Sequence, residues 1–496
     1  MAKRTFAHVS SPPSDSGERR VGLFYFLWLG EHGRGAPLDI SKIMAAHPDA
    51  GLHPEADYWG GVGVYHHWGE PFYGYYYSDD EWVVRRHMKL ILQAGIDFLF
   101  FDTTNSVIYE KNAKLVMRVL QEYRDAGWDI PQVMFYTNTR SGETVQRIYE
   151  AIYKPGYCRD TWFLWDGRPV IIAVPEECSA ECRDFFTIKL SQWPNEADKA
   201  GGWPWMDFVR PQRVFPNLCG KPECINVSVA QHPQIRFGDS VLYGERANRG
   251  RAFHDGRNDP APDAWTKGYN FREQFERALE VQAPVTLVTG WNEWIAGRWQ
   301  GIPERPIMFV DCANYEYSRD IEMMRGGYFD NYYRLLCEYT ARLKGEPEEV
   351  SLKAGESALF NGYPDGSMNR DAEGYGTRYV NRTGRYSIRR IEVSRGTDSV
   401  RFVLTADRSF DPDDTEGDFM RLWVWNEDGE EVSASAMERI CGGREVTVTL
   451  PMSAVTGSYL DFKAADSRER IVSPEDFYDH GDVLPLGYAR YRVILG

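Results

Sequence analysis

TLVTGWNEWIAGRW, residues 286–299, runs four apolar or β-branched residues into Gly290 and then sets Trp291 and Trp294 on either side of Asn292 and Glu293. It reads as a buried strand ending in an amide, a carboxylate and two large aromatic faces. In α/β barrels the chemistry sits at the C-terminal ends of the strands. The same residues would also serve to finish a hydrophobic core, so the stretch poses a choice between a sugar site and packing.

Working outward, the same texture recurs. VGLFYFLW (21–28), DFLFFD (97–102), QVMFYTN (132–138), the strand after the Asp166-Gly167 turn and INVSVA (225–230) read as buried strands. Between them, 81–95, 111–127, 142–153 and 271–283 read as helices, and 319–344 reads as a long final one. Repeated strand–helix order with continuous apolar strands predicts a parallel sheet covered by helices. The expectation is a (β/α)8 TIM-type barrel over residues 20–345, with strand five near MDFVRP (206–211). A doubly wound open sheet is the alternative, but no glycine-rich phosphate turn follows the first strand. From residue 350 alternating short strands replace helices, which predicts an antiparallel β-sandwich accessory domain over 350–496. KGEPEE (344–349) reads as the joint, and residues 1–19 as a flexible N-terminal arm.

The chain has 496 residues, 57 basic and 73 acidic, for a net charge of −16. That balance disfavours nucleic acid and anionic membrane as partners. No run of 18 apolar residues exists, so no membrane span is expected. The N-terminus has no apolar segment of a signal peptide; a cytoplasmic location and secretion with a leader absent from this sequence both stay open, as does the oligomeric state. The eight cysteines are scattered without a four-ligand zinc pattern and are expected as free thiols. The 16 Trp and 29 Tyr exceed what a core needs, and sugar sites favour aromatic faces.

The polar residues at strand ends are Glu31 and His32, Asp102 to Asn105, Asn138, and Asn292 with Glu293. Two carboxylates from different strands at one mouth are the minimum for glycoside hydrolysis: one protonates the leaving oxygen, the other acts as nucleophile or base. Glu293 and Asp102 are the candidate catalytic pair. VYHHWGEPFYGYYYSDDEW (64–82) carries two histidines among many aromatics, so His66, His67 and Trp68 are candidates for substrate contact, with Asn138, Trp291, Asn292 and Trp294. Ser78 to Glu81 read as a helix cap. Glu245, His254 and Asp255 are weaker candidates on a surface excursion. Trp423 and Trp425 share one face of a strand, a binding platform or core packing. No cofactor or metal is expected; DPDDTEGD (411–418) alternates oxygen ligands like a calcium loop but lacks the full spacing, leaving a structural calcium as a minor possibility.

These residues resemble the family 71/99 glycoside hydrolases, which include the endo-α-mannosidases. The likeness lies in YGYYYSDDEWVVRRHMKLILQAGIDFLFFD, in GWNEW and, more weakly, in GRPVIIA (167–173). A related Asn-Glu-Trp also occurs in WbsX-type, glycosyltransferase-like barrels. The resemblance implies a barrel enzyme with two glutamates three apart, the first deprotonating a sugar 2-hydroxyl and the second protonating the leaving group. Glu293 matches the first; the second position is Ala296, a departure that leaves the acid to Asp102, with Glu304 or Glu322 behind it. The tail resembles DOMON and family 9 carbohydrate-binding sandwiches through SYLDFKAAD and DFYDHGD. The expected function is hydrolysis of glycosidic bonds in an oligosaccharide or polysaccharide. A non-catalytic carbohydrate-binding protein and a WbsX-like glycosyltransferase barrel are the alternatives.

Overall fold

The structure, a computed structural model, describes residues 19–233, 240–244, 247–309, 312–345 and 349–496. The expected arm, apart from Arg19, lies outside the described residues, as do 346–348 of the expected joint. Eight parallel strands form the first sheet: β1 (Arg20–Tyr25), β2 (Phe98–Thr103), β3 (Gln132–Thr137), β4 (Arg168–Ala173), β5 (Thr187–Gln192), β6 (Gly202–Pro204), β7 (Pro222–Ser228) and β8 (Val285–Thr289). Their order is β6-β5-β4-β3-β2-β1-β8-β7, the cyclic order of a (β/α)8 barrel. Helices α1 (Glu81–Gln93), α2 (Glu110–Asp125), α3 (Ser141–Ile148), α4 (Ala180–Phe185), α5 (Tyr269–Val281) and α6 (Asn331–Lys344) pack outside it. No helix joins β5 to β6 or β6 to β7.

Period-two alternation decides what fills the barrel. Phe24 and Phe26 on or just past β1, Phe98 and Phe100 on β2, Met134 and Tyr136 on β3, and Trp203 and Trp205 on or just past β6 form one buried interior cluster. The barrel is therefore plugged by aromatic rings, with Phe24 stacked on Phe100 at 4.8 Å.

The ring closes between β6 and β7 by an unusual route. A short strand, Val214–Pro216, pairs antiparallel with β7, and the Gly201 N–H donates to the Pro216 carbonyl at 2.7 Å. Side chains do the rest. The Trp203 indole donates to Glu223 at 2.8 Å, and Asn226 Nδ2 donates to the Trp205 carbonyl at 3.0 Å.

Two expectations need correction. Strand five is 187–192, not 206–211, because its inward positions are Thr187, Lys189 and Ser191 rather than an apolar run. Lys189 is buried and paired to Glu223 at 2.6 Å, which makes a cation tolerable inside the barrel. Residues 206–211 instead form a loop braced by Asp207, which accepts from the Arg213 guanidinium. The final helix begins at Asn331, and Arg319–Glu322 run alongside the loop after β8: Gly290 N–H donates to Arg319 O, and Glu322 N–H to Trp291 O.

The tail forms two five-stranded sheets. Phe360 and Phe402 meet Phe462 across the space between them at 5.0 and 5.3 Å. Trp423 and Trp425 are buried, Trp425 beneath the Arg490 guanidinium, so the alternating pair packs rather than presents a face. The 411–418 loop is held by cations of the chain: Asp414 pairs with Arg468 at 2.7 Å and Asp418 with Arg421 at 2.8 Å. None of the eight cysteines is in a disulfide.

A hairpin of the tail, 370–374 paired with 377–381, docks on the Tyr-rich loop after β1. Arg370 donates to Asp80, the N-cap of α1, at 2.8 Å and to the Tyr73 carbonyl at 2.8 Å. Tyr375, at the hairpin turn, accepts from the Gly30 N–H at 2.7 Å, and Tyr379 from the Tyr75 N–H at 2.7 Å. Elsewhere Lys89 of α1 pairs with the buried Asp365 at 2.7 Å, and Trp128 stacks on Tyr363 at 4.2 Å. We propose that 20–345 and 350–496 are two domains, each with its own sheets, fused through this interface. Breaking one partner of a buried ion pair leaves an uncompensated charge, at about 3–5 kcal/mol. Arg370→Ala is therefore expected to lower the unfolding free energy by about that amount, measured by chemical denaturation; an unchanged midpoint would show the hairpin to be loosely attached.

Candidate active site

The loop after β8 is built as a splint. Asn292 accepts from Phe26 N–H at 2.9 Å and donates to Phe26 O at 3.0 Å. Only an amide side chain offers donor and acceptor together in this way, so Asn292 continues the β1–β8 pairing past the end of β8. Its neighbour Glu293 is thereby fixed at the C-terminal end of the barrel. The Glu293 carboxylate is 3% exposed and receives the Arg319 guanidinium two-pronged, from Nε at 3.1 Å and Nη2 at 2.8 Å. The Glu293 N–H donates to Asp320. Arg319 in turn lies over the Trp205 ring at 5.0 Å.

Asp320 and Glu322 anchor the surrounding rings. Trp68 and Trp294 stack at 4.4 Å and 13°, the first donating to Asp320 at 2.8 Å, the second to Glu322 at 2.5 Å. Glu322 also receives Tyr76 OH at 2.7 Å and His87 Nε2 at 2.9 Å, while Tyr25 OH meets His87 Nδ1 at 3.0 Å. Trp291 is enclosed between His87 and Tyr333. These rings were expected to offer sugar-binding faces; the structure places Trp68, Trp291 and Trp294 in the core.

The two histidines share that fate. His67 lies edge-on between Tyr75 and Tyr375, each 4.8 Å away, and burial, helped by His66 and Lys42, pushes its pKa down to about 3. His66 meets the Trp59 carbonyl at 2.9 Å, and burial lowers it to about 4. Both are buried and neutral, His67 under the docked hairpin and His66 against Trp59 and Phe309. Ala296 pairs with His66 in a short ribbon, 295–297 against 65–67, so the position holds no carboxylate and faces a strand partner.

Asp102, the penultimate residue of β2, faces inward in sequence with Phe98 and Phe100 and so sits at the C-terminal end of the barrel, as Glu293 does. Its Oδ1 accepts from Thr104 N–H at 3.0 Å and Thr104 Oγ1 at 2.7 Å. Asn138, half-buried at the end of β3, accepts from Ser191 Oγ at 2.8 Å. Of the other carboxylates considered, Glu322 is buried outside the strand ring and Glu304 is exposed at a hairpin turn. Glu31 is exposed and accepts from Asn112 at 2.9 Å; His32 stacks on Tyr65 at 4.5 Å. His254 and Asp255 pair with each other at the surface, and Glu245 lies outside the described residues.

The sequence reading missed Arg319, Asp320, Trp193 and Trp205. Trp193 and Trp205 were legible in principle, since each continues the inward alternation of a strand; the first of those strands was expected at 206–211 and the second was not read from the sequence. Arg319 and Asp320 carried no local signal, because what marks them is contact with residues 26 positions away or more.

No family model matches this sequence, and no curated protein matches it. Among solved structures, the GH99 endo-alpha-mannosidase from Bacteroides thetaiotaomicron aligns at 15% identity and a TM-score of 0.36, over 65% of this chain and 96% of that one. A structure of a Bacteroides endo-alpha-mannosidase of the same class in complex with BIS-TRIS-Propane gives 15% and 0.38, over 65% and 97%. A glycoside hydrolase-like protein gives 13% and 0.36, over 68% and 98%. Likeness at this level assigns no activity.

Burial raises the Asp320 carboxyl to about 7, against the opposing pull of Arg251, the Glu293 N–H, the Trp68 indole and Arg319. A raised pKa in the folded state means its stability contribution is full below the unfolded value near 3.9 and is lost as pH rises through about 7. Asp320→Asn removes this titration. The variant is expected to lose the decline in stability between pH about 4 and 7 that the wild type shows in thermal melts; parallel pH profiles would contradict the assignment.

Proposed function

We propose that this protein is a carbohydrate-active enzyme that hydrolyses glycosidic bonds at the C-terminal mouth of its barrel, with Glu293 and Asp102 as the carboxylate pair. The observation that carries the reading is the Glu293 carboxylate, fixed at the end of β8 by the two-pronged Arg319 guanidinium. Pairing with a cation favours the anionic form, which suits Glu293 to the part of base or nucleophile rather than proton donor. The donor is then Asp102, facing inward from β2. With Ala296 in place of a second glutamate on the same loop, the two carboxylates come from different strands. The oligosaccharide class, the linkage and the stereochemistry are left to experiment; a retaining mechanism needs carboxyl groups roughly 5–5.5 Å apart and an inverting one roughly 6.5–9.5 Å.

The second reading is a non-catalytic carbohydrate-binding protein. It is favoured by the same ion pair, because both Glu293 oxygens are engaged and the group is almost wholly buried. Substitution separates the two. A positioned acid–base group contributes about 10²–10⁴-fold, and glutamine keeps the shape but cannot take the proton. Against a panel of aryl glycosides and oligosaccharides, Glu293→Gln is expected to lose turnover by that factor while still binding. A wild type that binds sugar and hydrolyses none of the panel would decide for the binding protein. Unfolding of Glu293→Gln would make the pair a core element.

A further inference from the structure

Several exposed arginines of the tail meet a carboxylate. Arg378 and Arg382 share Asp371 at 2.5 Å each, Arg421 pairs with Asp418 at 2.8 Å and Arg468 with Asp414 at 2.7 Å. Three on the outer face of one sheet do not. Four strands build that face, side by side: Ile388–Arg395, Ser399–Ala406, Glu445–Pro451 and Glu438–Gly442. Ile391, Leu404 and Val446 turn inward and are buried. The outward row next to them is Arg390, Thr405, Glu445 and Gly442, in register across all four strands. A bulge adds to this row. Ile388 pairs with Ala406 and Arg390 with Thr405, so Arg389 is the extra residue. Strict alternation would send neighbours to opposite faces, and a bulge re-aims side chains. Arg389 and Arg390 are accordingly both exposed, between buried Ile388 and Ile391. Arg444 enters from the other side, past the Gly442-Gly443 turn. Its guanidinium donates to the Ala406 carbonyl, from Nε at 3.3 Å and Nη2 at 3.2 Å, and to the Asp407 carbonyl. These neutral acceptors aim the group without cancelling its charge.

Arg389, Arg390 and Arg444 line, with Thr405, Ser409 and Glu445, an open cleft of about 580 Å³. Its one carboxylate, Glu445, accepts from Thr405 Oγ1 at 3.3 Å. None of the three guanidiniums pairs with it or with another carboxylate among the described residues. A Cβ at Gly442 or Gly443 would meet nothing within 4 Å, so the turn leaves the cleft clear. Three cations against one anion leave two positive charges unmatched, on a chain whose net charge is −16. We propose that this cleft is a binding site for a phosphate monoester. The planar fork of arginine matches phosphate two-pronged. A phosphate monoester carries about −1.5 to −2 charge at pH 7 and three acceptor oxygens, which fits the unmatched charge. A lone carboxylate brings half of it. A nucleic-acid backbone offers one charge per phosphate and is repelled by the rest of the chain. The cleft exceeds what a phosphate group alone fills, which leaves room for a small body bearing it, such as a sugar. The site lies in the tail and rests on nothing proposed for the barrel mouth.

The test is calorimetric titration of full-length protein with glucose 6-phosphate, inorganic phosphate, glucuronate and single-stranded DNA, on wild type, Arg389→Gln, Arg390→Gln and Arg401→Gln. Arg401 is exposed on the same sheet but outside the cleft, so its substitution removes an equal charge and no contact. Hydrogen bonds to charged groups correspond to about 10–150-fold in affinity. Wild type is expected to bind glucose 6-phosphate. Arg389→Gln and Arg390→Gln are each expected to bind it about 10-fold or more weakly with an unchanged melting temperature, and Arg401→Gln to bind it like wild type. Glucose 6-phosphate binding more tightly than inorganic phosphate supports the site and assigns it to a phosphorylated sugar; equal affinities support it and assign it to the free ion. The proposal is overturned by a wild type that binds neither phosphate ligand, or that binds glucuronate or the DNA as tightly. It is overturned equally if Arg401→Gln weakens binding as much as the cleft substitutions do, the mark of diffuse surface charge. Where one cleft variant melts early, the other decides.

Discussion

Four residues laid beside a loop hold this barrel mouth together. Arg319–Glu322 pair their backbone with Gly290 and Trp291, and three of their side chains then reach different layers. Arg319 grips the Glu293 carboxylate, Asp320 takes the Glu293 N–H and the Trp68 indole, and Glu322 takes Trp294, Tyr76 and His87. Burying carboxylates and a guanidinium this deeply costs several kcal/mol per ion unless each is met by charge-assisted bonds; Arg319 and Glu322 have such bonds, while at Asp320 burial outweighs them and raises the carboxyl. The cost is the reason for the arrangement's rigidity: no member can rotate away without leaving a buried charge unmet.

The aromatic residues divide by what their polar tips do. Trp68 and Trp294 end on carboxylates; the buried indole nitrogens of Trp28, Trp193 and Trp205 have no acceptor among the described residues. Chemical type alone does not distinguish the two groups. The distinction lies in the third dimension, in whether a partner from another part of the chain arrives.

That is also where reading the sequence stopped working. The barrel was legible because β1, β2, β3 and β8 are continuous apolar runs, and the sandwich because its strands alternate. Strand β5 was not, since its inward Lys189 is made tolerable by Glu223, 34 residues away. Glu293 and Asp102 were legible as strand-end carboxylates, and the structure sets both at one end of the barrel. The Tyr-rich loop with His66 and His67 looked like a ligand platform because it is too aromatic for a lone loop. It is aromatic because it has a protein partner, the hairpin around Tyr375, on top of it. Asn292 looked like a ligand contact and is a substitute for backbone.

The seam between β6 and β7 has a mechanical consequence. Elsewhere the barrel wall is a ladder of backbone bonds, and parting two strands means breaking several at once. At the seam the Trp205 carbonyl is held by Asn226 Nδ2 and Thr289 Oγ1, and Trp203 is held by Glu223. Such links give way one at a time, and no outer helix after β5 or β6 backs them. The barrel therefore has a compliant sector in an otherwise stiff hoop, and Trp193 and Trp205 ride on it. Flexing there would move Trp205, and with it the Arg319 guanidinium that lies over its ring and grips Glu293.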